Sequence, residues 1–180
     1  TITVQVCGDT LDEDDETFVV NLSNAVGATI GDNQGLGTIG DDDVAPTVSI
    51  NDVSTPEGNS GTTPLAFTVS LSAPSGKSIT VKYATADNTA TIANNDYVGV
   101  PATLLTFAPG ETSKPAAVTV NGDSAYENDE TLFGQLTDPT NATISDNQGI
   151  GTIQNDDPLP TVAFNLNSSQ GPESSTPVNL

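Results

Sequence analysis

Apolar and polar residues alternate strictly along much of the chain. Leu65, Phe67, Val69 and Leu71 alternate with Ala66, Thr68 and Ser70. This period of two marks a β-strand with one face turned inward. Ile79, Val81 and Tyr83 repeat the pattern, as do Leu105 and Phe107, then Ala116, Val118 and Val120, then Leu132 and Leu136. Thr47–Ile50 opens this series, and Ile144 and Ile153 flank a last hairpin. Nowhere do apolar residues recur at the three- and four-residue spacing of a helix over a useful length. Turn signals separate the strands: Ala73-Pro74-Ser75-Gly76, Ala108-Pro109-Gly110-Glu111, and an Asp-Asn-Gln-Gly run in the last hairpin. The pattern predicts an all-β, immunoglobulin-like antiparallel β-sandwich of about seven short strands.

The chain also repeats itself. Val4–Val48 returns as Val118–Val162, at an offset of 114 residues that takes Gly8 to Gly122. Roughly half of about 45 aligned positions are identical, well beyond what biased composition produces. Ala28-Thr29-Ile30-Gly31-Asp32-Asn33-Gln34-Gly35 matches Ala142-Thr143-Ile144-Ser145-Asp146-Asn147-Gln148-Gly149, and Asp41-Asp42-Asp43 matches Asn155-Asp156-Asp157. A period this long is a whole domain. It predicts tandem units: residues 1–43 as the C-terminal part of a preceding unit, 47–157 as a complete one, and 161–180 as the N-terminal strands of a following one. The partial units leave strand edges open, so pairing between them, within or between chains up to a filament, is one expected outcome.

Charge changes the picture most. The 180 residues carry 24 acids against three bases, Lys77, Lys82 and Lys114, for a net charge of −21. Such a surface repels nucleic acid and anionic membranes. No apolar run approaches the length of a membrane span, so no membrane insertion is expected. Histidine is absent, which removes the commonest general base and the usual zinc ligand. The single cysteine, Cys7, excludes an intrachain disulfide and is expected at a core or edge position. With no methionine anywhere, the chain reads as an excised piece of a longer protein. The acids are clustered just before or after predicted strands. A sandwich brings alternate strand ends to one pole, and carboxylates crowded there repel unless a cation sits among them.

The ordered segments of the complete unit resemble the Calx-beta family, known from sodium–calcium exchangers and large bacterial surface proteins. The likeness is carried by Pro56-Glu57-Gly58, Phe67–Ser72, Tyr83–Ala90 leading to Asn95-Asp96-Tyr97, and Leu105–Thr112, which matches the family's T-F-x-P-G-E-T signature. Asp123 before Glu127–Thr131, and Gly151-Thr152-Ile153 before the terminal acids, complete it. The resemblance implies a seven-stranded sandwich binding Ca²⁺ at one end. The matching ligand positions are Glu57, Asp96, Asp123, Glu127, Glu130, Asp156 and Asp157. In the preceding unit they are Asp9, Glu13, Glu16, Asp41, Asp42 and Asp43, and in the following unit Glu173. Gly122 and Gly8 stand where the most highly charged members carry a further Asp, and Asn155 replaces an acid.

Ca²⁺ wants six to eight oxygens, which carboxylates supply well. Asp123, Glu127 and Glu130 share one loop that can curl around an ion, although no EF-hand spacing is present. The expected function is a non-catalytic, calcium-binding structural repeat of a large extracellular or cell-surface protein, in which Ca²⁺ stiffens the junctions between neighbouring repeats. The linkers Val44-Ala45 and Pro158-Leu159 are short and bracketed by acids, which favours this reading. The alternatives are an adhesin module binding a glycan or protein, a calcium-regulated switch as in the exchangers, and a glycosidase built on paired carboxylates. The switch would need a tight site and a bistable partner domain, neither of which the sequence displays, and the glycosidase lacks an aromatic sugar platform, since only Tyr83, Tyr97 and Tyr126 and five phenylalanines are present.

Overall fold

The computed structural model describes residues 1–163. The predicted Glu173 and the strands expected in 161–180 lie outside the described residues, apart from residues 161–163. Among the described residues there are twelve strands: β1 (Glu16–Asn21), β2 (Gln34–Ile39), β3 (Thr47–Ile50), β4 (Val53–Pro56), β5 (Gly61–Leu71) and β6 (Ile79–Asp87). They continue with β7 (Tyr97–Val98), β8 (Thr103–Phe107), β9 (Ser113–Gly122), β10 (Glu130–Thr140), β11 (Thr143–Ile144) and β12 (Gln148–Gln154). No helix among the described residues is long and apolar enough to cross a membrane.

Strands β3 to β12 form two five-stranded sheets, ordered β4-β12-β10-β6-β8 and β11-β3-β5-β9-β7. The alternating residues meet between them. Leu65, Phe67 and Val69 of β5 and Val118 and Val120 of β9 face Val81 and Tyr83 of β6, Leu132 and Leu136 of β10 and Phe107 of β8, all buried. The Phe67 and Tyr83 rings cross the interior tilted at 57°, with centroids 6.2 Å apart. Such a tilted contact favours the edge-to-face arrangement of aromatic pairs.

The sandwich is antiparallel except at two places. β12 runs parallel to β4, and β11 runs parallel to β3. Both follow from one break. The opening strand divides at Asn51-Asp52 and its halves join opposite sheets. The break is stabilised by side chains. Asn51 Oδ1 accepts from the Thr68 N–H at 2.6 Å, and Asp52 Oδ1 accepts from the Ile150 N–H at 2.7 Å. Ile144, expected beside the last hairpin, instead sits on β11 in the other sheet. The last hairpin is β10–β12, joined by a loop that visits β3. Asn141, at φ 57°, starts that excursion.

Ahead of this sandwich, β1 and β2 form a separate hairpin. It reproduces the β10–β12 hairpin bond for bond. Asp32 Oδ1 accepts from the Gln34 N–H at 3.1 Å, as Asp146 Oδ1 does from Gln148 at 3.2 Å. Leu22 N–H donates to the Asn33 carbonyl at 2.8 Å, as Leu136 does to Asn147 at 2.9 Å. Residues 1–9 carry the sequence of the end of β9 yet form no strand, because no counterpart of β5 is present to pair with them among the described residues. Cys7 therefore lies exposed rather than in a core or on a strand edge.

Candidate metal centre

The strand order explains how distant acids meet. Parallel pairing aligns the C-terminal ends of β4 and β12, with Pro56 beside Gln154. The residues that follow each strand, Glu57 and Asp156-Asp157, are therefore neighbours. The Glu57 N–H donates to the Gln154 carbonyl at 3.1 Å, which fixes the register at this tip. One carboxylate oxygen from each of Glu57, Asp156 and Asp157 lies within 4.8 Å of the others.

A second group forms beside the first. The start of β7 pairs with the end of β9, Tyr97 opposite Val120, and the Asn121 N–H donates to the Asp96 carbonyl at 2.9 Å. The start of β10 lies against the end of β12, Glu130 opposite Ile153. These pairings bring Asp96, Glu127 and Glu130 to within the same 4.8 Å spacing. Asp123 belongs to neither group, but its charge acts on both Glu57 and Glu127. Its Oδ1 accepts from the Ala125 N–H at 2.7 Å and shapes the β9–β10 loop. All seven acids predicted for the complete unit thus gather at one pole.

This pole has no internal counter-charge. Lys82 pairs with Asp138, Lys114 with Glu111, and Lys77 with acids of the preceding segment. Burial, reinforced by Glu127, Asp123, Asp157 and Asp156, pushes the Glu57 carboxyl up to about 7. Burial also raises Glu130 to about 7, with Asp96 the strongest charged neighbour. Glu127 moves upward for the same reasons, burial first and Asp123 next. Glu57 and Asp157 are 5% and 6% exposed, and each has one buried oxygen, Glu57 Oε1 and Asp157 Oδ2, without a hydrogen-bond partner. Buried carboxylate oxygens in native proteins are normally satisfied. Two orphaned oxygens in one three-carboxylate group fit a hard divalent cation, which needs no donor hydrogens from the protein.

Some contributors to the pole escaped the sequence reading. Asn59 donates from Nδ2 to Asp157 Oδ1. Asn155, the replacement for an acid, organises the loops. It accepts from the Glu127 N–H at 3.1 Å, donates its own N–H to Asp129 Oδ1 at 3.1 Å, and donates from Nδ2 to the Asp157 carbonyl at 3.0 Å. The absence of an acid at 122 has a steric cause. A Cβ there would lie 2.0 Å from the Gly58 carbonyl oxygen and 2.7 Å from that of Glu57. Gly8, its repeat partner, has open space around it. Gly122→Ala is therefore expected to cost about 1–3 kcal/mol, the usual range for overpacking. Gly8→Ala should be near neutral. Urea denaturation of both variants checks the contrast.

The preceding segment carries its own acidic concavity, about 200 Å³, lined by Asp9, Glu13, Glu16, Asp41, Asp42 and Asp43 among others. The predicted six are thus brought to one hollow. Among the described residues, however, no three of them close to the 4.8 Å spacing seen in the complete unit. Glu13 is raised above the usual carboxylate range by burial, then by Asp9 and Glu16, and Asp43 by burial, then by Asp42 and Asp41.

The geometry defines a class: a two-sheet sandwich with a carboxylate-lined metal pole at one end. The Calx-beta domain model matches residues 1–52 and 40–157, and the chain belongs to the Calx-beta domain family. Ca²⁺ is the ion of that family, and the acidic groups of the pole suit it. Among solved structures the chain is similar to CBD12 from CALX1.2, at 25% identity over 62% of this chain and 44% of that one, TM-score 0.54. It is also similar to the calcium binding domain CBD12 of CALX1.1, at 26% identity over 65% and 49%, TM-score 0.53. The chain thus spans less than half the length of either. The apo-form Calx CBD1 domain shares the fold, at 22% identity over 62% of this chain and 99% of its own, TM-score 0.50. No curated protein matches the chain significantly.

Proposed function

We propose that this chain is a calcium-binding structural repeat of a large extracellular or cell-surface protein, in which Ca²⁺ stiffens the junctions between successive units. The observation that carries the reading is the pair of orphaned oxygens, Glu57 Oε1 and Asp157 Oδ2, at a pole without a lysine. The ligands are Glu57, Asp156 and Asp157 at one position and Asp96, Glu127 and Glu130 at a second, with Asp123 between loop and ion. Asp9, Glu13, Glu16, Asp41, Asp42 and Asp43 play the same part in the preceding unit. The position of the pole supports a junction role, since Asp157 is followed directly by Pro158-Leu159, the expected linker to a following unit. Similarity to two-domain CBD12 structures is consistent with neighbouring units of the same chain as the partners.

The test is small-angle scattering of the chain in millimolar Ca²⁺ and in excess chelator, alongside a calorimetric Ca²⁺ titration. Saturable binding with a narrower distance distribution in Ca²⁺ is expected. Scattering curves that superimpose in the two conditions would remove the stiffening role.

A further inference from the structure

The acids of the first pole divide into two sets when they are compared with the second. Asp9, Glu13, Asp15, Glu16, Asp42 and Asp43 each have an acid 114 residues later: Asp123, Glu127, Asp129, Glu130, Asp156 and Asp157. The roles of these positions recur too. Asp15 Oδ1 accepts from the Asp41 N–H at 3.0 Å, as Asp129 Oδ1 does from Asn155 at 3.1 Å. Asp12, Asp14 and Asp41 have no such counterpart, because Tyr126, Asn128 and Asn155 occupy those positions. These three unmatched acids are the ones that Lys77 of the complete unit faces. Its Nζ lies 2.8 Å from Asp12, 3.6 Å from Asp41 and 3.9 Å from Asp14.

The contact is built from more than charge. The β5–β6 turn of the complete unit, Ser75-Gly76-Lys77, seats Asp12, which is only 4% exposed. Ser75 Oγ donates to Asp12 Oδ2 at 2.8 Å, and the Gly76 N–H donates to the Asp12 carbonyl at 2.9 Å. A Cβ at position 76 would lie 2.8 Å from Glu13 Cγ, so glycine permits the close approach. Hydrogen bonding to Lys77, ahead of Ser75, holds the Asp12 carboxyl below the usual carboxylate range.

We infer that Ser75-Gly76-Lys77 is a docking turn that latches the complete unit onto the preceding one through Asp12, Asp14 and Asp41, independently of any metal ion. Asp9, Glu13, Glu16, Asp42 and Asp43 are left for the ion, Asp15 braces the Asp41 N–H, Asp12 and Asp14 serve the seam alone, and Asp41, 3.6 Å from Lys77 Nζ, borders both. The second pole, with Tyr126, Asn128 and Asn155, offers no equivalent seat for a lysine.

The experiment is small-angle scattering of the whole chain in excess chelator, where no Ca²⁺ contributes. Lys77→Ala and Asp12→Asn are each expected to raise the radius of gyration and broaden the distance distribution. Lys77→Arg should keep the wild-type curve. Replacing Asp12, Asp14 and Asp41 by Tyr, Asn and Asn, the residues of the second pole, should open the seam as Lys77→Ala does. Circular dichroism melting verifies that the sandwich itself stays folded in each variant. A Lys77→Ala curve identical to wild type overturns the latch. The two proposals fail separately: loss of Ca²⁺ binding leaves the chelator result standing, and an inert Lys77 leaves Ca²⁺ binding standing.

Discussion

In excess chelator the protein is expected to melt at a higher temperature at pH 5 than at pH 8, and saturating Ca²⁺ is expected to reverse that order. The sign follows from Glu57 and Glu130, whose carboxyls are raised from 4.5 to about 7 in the folded chain. Between those values the folded state holds protons that the unfolded state has released. Stability therefore falls as pH rises through this window, and the full penalty is felt above pH 7. The two groups share one crowded pole and titrate together rather than independently, so their combined effect is about 2–3 kcal/mol. Asp12 and Glu111, held below their usual range, act in the opposite direction, but only at pH values more acid than this window. Ca²⁺ requires the ionised carboxylates, so it acts where the metal-free protein is weakest. Extracellular modules bind it at about 10⁻⁴–10⁻³ M. At about 10 mM Ca²⁺ each site then adds roughly 1.4–2.7 kcal/mol. Two sites give a rise in melting temperature on the order of 10 °C at pH 8. A melting temperature at pH 8 that ignores Ca²⁺ would contradict the metal centre.

Glu57→Gln is expected to separate stability from ion binding. The replacement keeps the shape of a buried side chain and removes its charge from among four neighbouring acids. In chelator at pH 8 the variant should be more stable than wild type by about 1–2 kcal/mol, because a desolvated and repelled carboxylate is gone. The increment from Ca²⁺ should fall by up to about half, since one of the two groups loses a charged ligand. Glu111→Gln is the control. That residue is paired with Lys114 at the start of β9, the opposite end of that strand from Asp123, and its loss should leave the Ca²⁺ increment intact. Denaturant unfolding with and without Ca²⁺ measures all four values. An unchanged increment in Glu57→Gln would take Glu57 out of the ion site.

The long strands were legible in the sequence because their alternation is uninterrupted. The inward residues of β5, β6 and β9 are the ones the pattern predicts. The short strands were not. β7 and β11 have two residues each and β4 has four, too few to display a period. The switch at Asn51-Asp52 depends on side-chain bonds to Thr68 and Ile150, which no local pattern announces. The pole was legible as a collection of acids at strand ends. Its division into two groups was not, because it depends on which strands run parallel. The bracing role of Asn155 and the steric block at Gly122 likewise needed coordinates. The seat of Asp12 left one trace in the sequence, an acid where the repeat has Tyr126.

The parallel pairing of β4 with β12 has a consequence for a chain under tension. The chain enters the complete unit through β3 and β4 and leaves it through β12. Pulling on the two ends drags β4 and β12 along each other in opposite directions. The four residue pairs from Gly151 beside Val53 to Gln154 beside Pro56 are then loaded together in shear, rather than unzipped one at a time. An ion held between Glu57 and Asp156-Asp157 would tie the ends of those same two strands across the plane of slip. Resistance to stretching and occupancy of the acidic tip would then rise and fall together.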